Sequence, residues 1–317
     1  MSEGWLRRTE RGSMKLLRLL TWLTLRLGRP IGRVFLYPIC LYFMVFSQGT
    51  RHSSSRYLSR VLPRPVRLRD NFRHYHAFAS TIHDRIYLLA GKHRYFDIHV
   101  EGVSAVQSAL KATRGCILLG SHIGSFEVLR AFGMFDHHLP LSVLMHIGAT
   151  PNLNSVLRDI RPEIDSGTIP LGTPNAVLAV KERLDRGEMV GILGDRLVQD
   201  DEEAVSCRFL EEHVLFPVAP HLIAALLGVP VVLFVGLYRG GRRYDIHFEL
   251  MTEKIPLDRR HRSESIHPWV QHYVSRLEHY CRIAPYNWFN FYELPRKTEH
   301  PRVGPRSRSR ARERSHV

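Results

Sequence analysis

Between Phe96 and Leu250, short runs rich in β-branched and aliphatic residues alternate with stretches of helical periodicity, and that alternation limits the fold more than any other feature of the chain. Phe96 to Val100, Cys116 to Leu119, Leu141 to Met145, Met189 to Leu193, Val231 to Leu237 and Tyr244 to Leu250 read as strands. Ahead of them Phe72, Tyr75, Phe78, Ile82, Ile86 and Leu89 recur three or four residues apart and stop before Gly91, which spells an amphipathic helix with a C-terminal glycine. Thr173, Pro174 and Gly187 bracket a second helix as N-cap, first-turn proline and terminal glycine, and Ile266, Val270, Tyr273, Val274 and Leu277 mark a third. The pattern predicts an α/β fold, a mostly parallel central sheet flanked by helices, with an antiparallel pair where Arg239, Gly240 and Gly241 supply a turn. In such sheets ligands gather beyond the carboxyl ends of the strands.

Charge divides the 317 residues into three. Residues 1–73 carry a net +12, residues 74–295 a net −3 and residues 296–317 a net +6. The expected organisation is a basic, partly apolar docking segment over 1–73, the α/β domain over 74–295 and a disordered basic tail over 296–317. Positive ends around a neutral body suit an anionic membrane surface, a nucleic acid or an acidic protein, and charge alone does not choose among them. In the first segment Leu16, Leu17, Leu20, Leu23 and Leu27 lie at helical spacing with Lys15, Arg18 and Arg26 interleaved, as in a helix lying among headgroups. Val34 to Phe46 is consistently apolar but shorter than the roughly 20 residues a spanning helix needs, so it is expected to dip into a bilayer rather than cross it. Ordinary core helices would give the same pattern. Glu3, Glu10 and the scattered arginines do not make a secretory signal. Cys40, Cys116, Cys207 and Cys281 form no C-x-x-C pair, and the histidines include no H-E-x-x-H, so neither a disulfide framework nor a metal site is expected.

The predicted strand Cys116 to Leu119 runs into Gly120, Ser121, His122, Ile123 and Gly124, followed by a helical stretch. The frame resembles a nucleophile elbow with histidine in place of serine. A histidine at that turn can take a proton directly from an incoming hydroxyl. Glu127 lies five residues on, about 140° around an unbroken helix, so it reaches His122 only if the histidine precedes the helix and Glu127 sits in its first turns. There the carboxylate would accept the Nδ1 proton. In the alternative, His122 caps the helix and Glu127 complements its dipole.

The G-S-H-I-G-S-F-E segment resembles the H-x-x-x-x-D/E motif of the lysophospholipid acyltransferase superfamily, in the branch of bacterial late (lauroyl- and myristoyl-type) acyltransferases of lipid A biosynthesis. Four stretches agree in order: GTIPLG (Gly167 to Gly172), GEMVGILGDR (Gly187 to Arg196), FLEEHVLFPVAP (Phe209 to Pro220) and PYNWFNFY (Pro285 to Tyr292). Arg196 after Asp195, and the acidic loop Val198 to Ser206, are closer to the offshoot found with aryl-polyene or xanthomonadin-type pigment pathways.

The resemblance implies transfer of an acyl group from acyl carrier protein or acyl-CoA to a hydroxyl of a membrane lipid or glycolipid, without cofactor, metal or covalent acyl-enzyme, at the cytoplasmic face of a bacterial inner membrane. It makes His122 the general base and Glu127 its orienting partner. Ser121, Gly124, Arg158, Arg161, Asp195 and Arg196 become the substrate-binding candidates, with backbone N–H groups near Gly124 and the arginines as oxyanion donors. Trp288, Phe289, Phe291 and Tyr292 are candidates to line an acyl tunnel or, equally, core residues. Two other readings stand beside this one: a polyanion-binding protein acting through its basic ends, against which the neutral middle holds no recognisable nucleic-acid reader, and an esterase or thioesterase using the same His122.

Overall fold

The computed structural model describes residues 14–295, apart from 113–114, 136–139, 146–154, 157–158, 161–166, 174, 198–201 and 259. Its centre is a seven-stranded sheet made from β1 (Asp97–Glu101), β2 (Cys116–Gly120), β3 (Leu141–Met145), β4 (Thr168–Pro170), β5 (Met189–Leu193), β8 (Val231–Gly240) and β9 (Arg243–Thr252). The spatial order is β1-β9-β8-β2-β5-β3-β4, and every pairing is parallel except β8–β9. The antiparallel pair turns at Gly240 and Gly241, as the sequence predicts.

Both faces are covered, which is why β2 is buried at every residue and reads as a continuous apolar run. Side chains alternate across the sheet. Ile117, Leu119, Val190, Ile192, Leu233 and Val235 meet α7 (Ala176–Asp185), α8 (Ala219–Leu227) and α9 (Arg262–Ile283) on one face. Cys116, Leu118, Met189, Val232 and Phe234 meet α4 (Leu68–Leu89), α5 (Val103–Ala112) and α6 (Phe126–Phe135) on the other. The chain leaves β2 through α6 on one face toward β3, and leaves β5 toward α8 on the opposite face and β8. Neighbouring strands whose connections diverge in this way open a crevice between their carboxyl ends.

Two local expectations differ. The N-cap position of α7 is Asn175 rather than Thr173, whose hydroxyl donates to the Pro170 carbonyl at 3.2 Å; Pro174 lies outside the described residues. FLEEHVLFPVAP and the five residues before it form a separate hairpin of β6 (Ala204–Phe209) and β7 (Glu212–Pro217). Its turn places Leu210 and Glu211 at φ 47° and 68° without the usual Gly or Asn. That conformation is held from outside: the Leu210 side chain is buried and its N–H donates to Glu278 of α9 at 2.7 Å.

Helices α1 (Met14–Leu27), α2 (Arg29–Phe46) and α3 (Gln48–Val61) precede the sheet, and the boundary expected at residue 73 falls inside α4. Helix α2 has 18 residues, long and apolar enough to cross a membrane by length and composition. One face, Gly32, Leu36 and Cys40, is buried, while Val34, Phe35, Tyr37, Leu41, Tyr42, Val45 and Phe46 are exposed. Gly32 allows α2 to lie close against α4, because a Cβ there would come 2.3 Å from His83 Nε2. Arg29 makes a two-pronged ion pair with fully buried Asp84 of α4 at 2.8 Å on each oxygen, and the Tyr244 hydroxyl donates to the same carboxylate at 2.9 Å. Arg33 adds hydrogen bonds to the Tyr238 hydroxyl and the Gly241 carbonyl. The first turns of α2 are thus pinned to α4 and to the β8–β9 turn, and its remaining apolar stripe faces outward.

Burial pushes the Asp84 carboxyl up, but His83, Arg29 and Arg33 hold it below the usual carboxylate range. Its stabilising contribution is therefore complete above the ordinary value near pH 4 and is lost as pH falls further. Asp84→Ala leaves Arg29 buried without its counter-ion and should lower stability by about 3 kcal/mol or more, read as a drop in the urea midpoint.

Candidate active site

The parallel register sets Gly120 at the end of β2 beside Leu193 at the end of β5. Two residues beyond each lie His122 and Asp195, and their side chains meet in the crevice. His122 Nδ1 is 2.8 Å from Asp195 Oδ1, and the His122 backbone N–H donates to Asp195 Oδ2 at 2.9 Å. The Trp288 indole Nε1–H also donates to Oδ2, at 2.9 Å. Asp195 is fully buried, so these donors replace the water it has lost. The imidazole is 29% exposed, and with Nδ1 occupied it is Nε2 that faces an incoming molecule.

Electrostatics keep this ring neutral at pH 7. Burial pushes the His122 pKa down and the Arg196 guanidinium adds to the effect, while Asp195 pulls the other way without reversing it. Burial alone would raise the Asp195 carboxyl, but His122 and Arg196 hold it well below the usual range. Nδ1 therefore carries the proton donated to Asp195, and Nε2 presents a lone pair.

Glu127 meets both conditions for reaching His122, since the histidine precedes α6 and Glu127 lies in its first turn. Its carboxylate nevertheless turns to Arg85 of α4, at 2.8 Å, with Arg130 at 3.8 Å. The carboxylate against the His122 ring is thus that of Asp195 and not, as expected, that of Glu127. The reason is charge: Arg85 and Arg130 offer the Glu127 carboxylate two guanidiniums in a buried setting, and together they hold it below its ordinary pKa against the opposing effect of burial.

Gly124 is a second correction. Its φ of +63° and the absence of a side chain are both required, because a Cβ would sit 1.8 Å from the Gly236 carbonyl oxygen. The turn spends its amides on neighbouring segments: Gly124 N–H donates to Asn287 O and Ser125 N–H to Gly236 O, each at 2.8 Å. Those two groups are therefore not available to bind an oxyanion. Arg196 lies in the crevice, donates to the Phe289 carbonyl at 2.6 Å and stacks over the Tyr292 ring at 5.1 Å. Ser121 is half-buried next to the Tyr273 phenol, which donates to Gly120 O at 2.8 Å. Arg158 and Arg161 lie outside the described residues. Of the aromatic cluster, Trp288 and Phe289 are buried in the two cores, Phe291 packs among His74, Tyr75 and Phe78, and Tyr292 joins Trp288 in a cleft beneath α3.

The sequence marks Asp195 as a substrate-binding candidate and Trp288 as a tunnel or core residue, and neither reading anticipates the bonds that join Asp195 to His122 and to Trp288. The available signal was the paired strand ends, each followed at the same offset by a polar residue able to bond the other.

The chain as a whole matches the family model described as bacterial lipid A biosynthesis acyltransferase over residues 12–294, and it belongs to that family. Membership makes it one of a family of acyltransferases, whose reaction implies an acyl donor and a lipid acceptor. No curated protein matches the chain.

The two carboxylates are separable by experiment. In proton NMR, the Nδ1–H resonance of His122 should persist in Glu127→Gln and vanish or shift upfield in Asp195→Asn, while Glu127→Gln lowers the thermal midpoint by releasing α4 from α6.

Proposed function

We propose that this protein is a membrane-surface O-acyltransferase in which His122 is the general base, Asp195 its orienting partner and Arg196 the adjacent cation. The observation that carries the reading is the neutral imidazole in the crevice, Nδ1 locked by a buried carboxylate and Nε2 open. Nε2 takes the proton of an acceptor hydroxyl as its oxygen attacks the carbonyl carbon of an acyl thioester. A C–O bond forms and the carbonyl electrons move onto oxygen. When the adduct collapses the C–S bond breaks, and the proton returns from Nε2 to the departing thiolate. The products are an ester and a thiol, with no covalent enzyme intermediate.

A positioned base contributes about 10²- to 10⁴-fold. Stabilising the developing oxyanion supplies a comparable share, and Arg196 is the candidate for it once the amides of Gly124 and Ser125 are accounted for. The nearby guanidinium also favours the neutral base in the resting enzyme.

The donor in this reading is acyl carrier protein or acyl-CoA, and the acceptor is a hydroxyl of a membrane lipid or glycolipid. The outward stripe of α2, with exposed Leu19, Trp22 and Leu27 of α1, would rest in the interfacial layer of the cytoplasmic leaflet of a bacterial inner membrane, assisted by the basic residues of the N-terminal segment. The arginine pins that hold α2 to the body favour lying on the bilayer over crossing it. Arg196 after Asp195 favours the offshoot found with aryl-polyene pathways, in which the transferred acyl group is fatty or polyenoic, over the lipid A enzymes themselves.

His122→Ala should keep the fold and lose acyl transfer by about 10²- to 10⁴-fold. Lipid extracts of cells carrying the wild type or His122→Ala, compared by mass spectrometry, should differ by one ester, and that species identifies the acceptor. Unimpaired esterification by purified His122→Ala, or release of free acid with no acylated product, overturns the reading. Because the base acts when deprotonated and its pKa lies below 6.5, activity should rise through a limb in the acid range and be level by pH 7.

A further inference from the structure

The His122–Asp195 pair is closed from the C-terminal side by a short strap, residues 287–289, and this strap is bonded more densely than packing alone requires. Ile123 and Trp288 form an antiparallel bridge, in which Gly124 N–H donates to Asn287 O and Phe289 N–H donates to His122 O, each at 2.8 Å. Asn287 accepts the Tyr238 N–H at 2.7 Å and donates back to the Tyr238 carbonyl at 3.1 Å, tying the strap to β8. The Trp288 carbonyl accepts a bond from His74 Nε2 at 2.8 Å. A carbonyl can only accept, so His74 Nε2 carries the proton and Nδ1 accepts from the Ser54 hydroxyl at 2.9 Å. The Trp288 ring is held edge-on by Tyr57 of α3 and Phe209 of β6, with centroids 5.0 and 5.2 Å away. Five separate parts of the fold, the β2–α6 turn, β8, α4, α3 and β6, thus fix the strap and its indole, whose single polar atom is spent on Asp195.

We infer that Trp288 is a positioning residue for the base: its indole N–H fixes the plane of the Asp195 carboxylate so that Oδ1 faces the imidazole. The geometry leaves Asp195 little alternative. Oδ2 takes the indole N–H and the His122 backbone N–H together, which leaves Oδ1 for Nδ1. Without the indole the carboxylate can rotate about its terminal torsion, which is intrinsically soft. The remaining donors must then share a charge that is fully buried. That charge would fall more heavily on the imidazole, making it a stronger base in the resting state and less well aimed. The inference rests on the proposed role of His122, but the contact it concerns exists in the resting protein and can be read without turnover.

The groups facing Asp195 make that reading specific. They are His122, Arg196, Tyr273 and Cys281 of α9, Tyr292 and the Trp288 indole. Burial raises Tyr273, Cys281 and Tyr292 above their ordinary values, so none of them titrates with the imidazole.

The test uses the full chain. In protein labelled with ¹⁵N-tryptophan, four indole resonances are expected, and Trp288 is assigned by its absence in Trp288→Phe. In the wild type the Trp288 indole should move with pH at the same midpoint as the His122 ring, and that movement should be absent in His122→Ala. In Trp288→Phe, kcat should fall about 10- to 100-fold, since misplacing a reacting group by about 1 Å costs up to roughly 10²-fold. The acid limb of the rate profile should shift to higher pH. Phe289→Leu, which loosens the same strap without touching Asp195, should lower the thermal midpoint and leave the limb in place. A Trp288 indole that stays flat while His122 titrates overturns the inference even if Trp288→Phe fails to fold. A Trp288→Phe enzyme whose acid limb is unmoved overturns it as well. Loss of transfer in His122→Ala together with a flat indole refutes the role of Trp288 alone, whereas a titrating indole with transfer intact in His122→Ala refutes the role of the base.

Discussion

A carboxylate taken fully out of water has to be met by donors on every side, and the arrangement at Asp195 follows from that requirement. One oxygen receives the His122 backbone N–H and the Trp288 indole, and the other receives the imidazole. These donors come from the end of β2 and from a C-terminal strap, and the carboxylate itself from the end of the adjacent parallel strand β5, so the site exists only when the sheet, the β2–α6 turn and the strap are assembled together. The cost of burying the charge is offset by charge-assisted bonds, each worth roughly 1.5–3 kcal/mol. The same contacts fix the tautomer of His122. The stability of the site and the protonation state of the proposed base therefore have one source.

The N-terminal helices follow a similar principle. Asp84 of α4 is buried, and its partners Arg29 and Tyr244 come from α2 and β9. This ion pair commits one side of α2 to the body and leaves its aliphatic and aromatic residues on the other side. A buried ion pair adds little net stability compared with an apolar pair, but it specifies orientation, because an unpaired arginine or aspartate here would be strongly penalised. The outcome is an apolar stripe at a fixed attitude relative to the crevice, which the proposed reaction at a membrane surface needs if an acceptor is to reach His122 from the bilayer.

Much of this was legible in the residues. Six of the seven strands of the central sheet announce themselves through β-branched runs, while the three-residue β4 is too short to do so; the β8–β9 turn shows in Gly240 and Gly241, and the place of His122 in its position between two glycines after a strand. The partner of His122 was not legible from local spacing. Glu127 lies five residues away and is an apt candidate along the chain, whereas Asp195 lies 73 residues away and arrives only through the register of β2 and β5. Arg85 and Arg130 then claim Glu127, and nothing in an H-x-x-x-x-E frame reveals which side an arginine on another helix will approach from. The β6–β7 hairpin was missed for a different reason. Its turn uses Leu210 and Glu211 at positive φ, and the support for that conformation is a glutamate on α9, not a turn residue in the sequence itself.

A double-mutant cycle on the esterification rate measures most directly whether Asp195 works through His122. With His122 already replaced by alanine, the further change Asp195→Ala should cost almost nothing in a protein that still folds, although each single change is severe in the wild-type background. Two losses that multiply independently would contradict the account and would mean that Asp195 acts on the substrate itself.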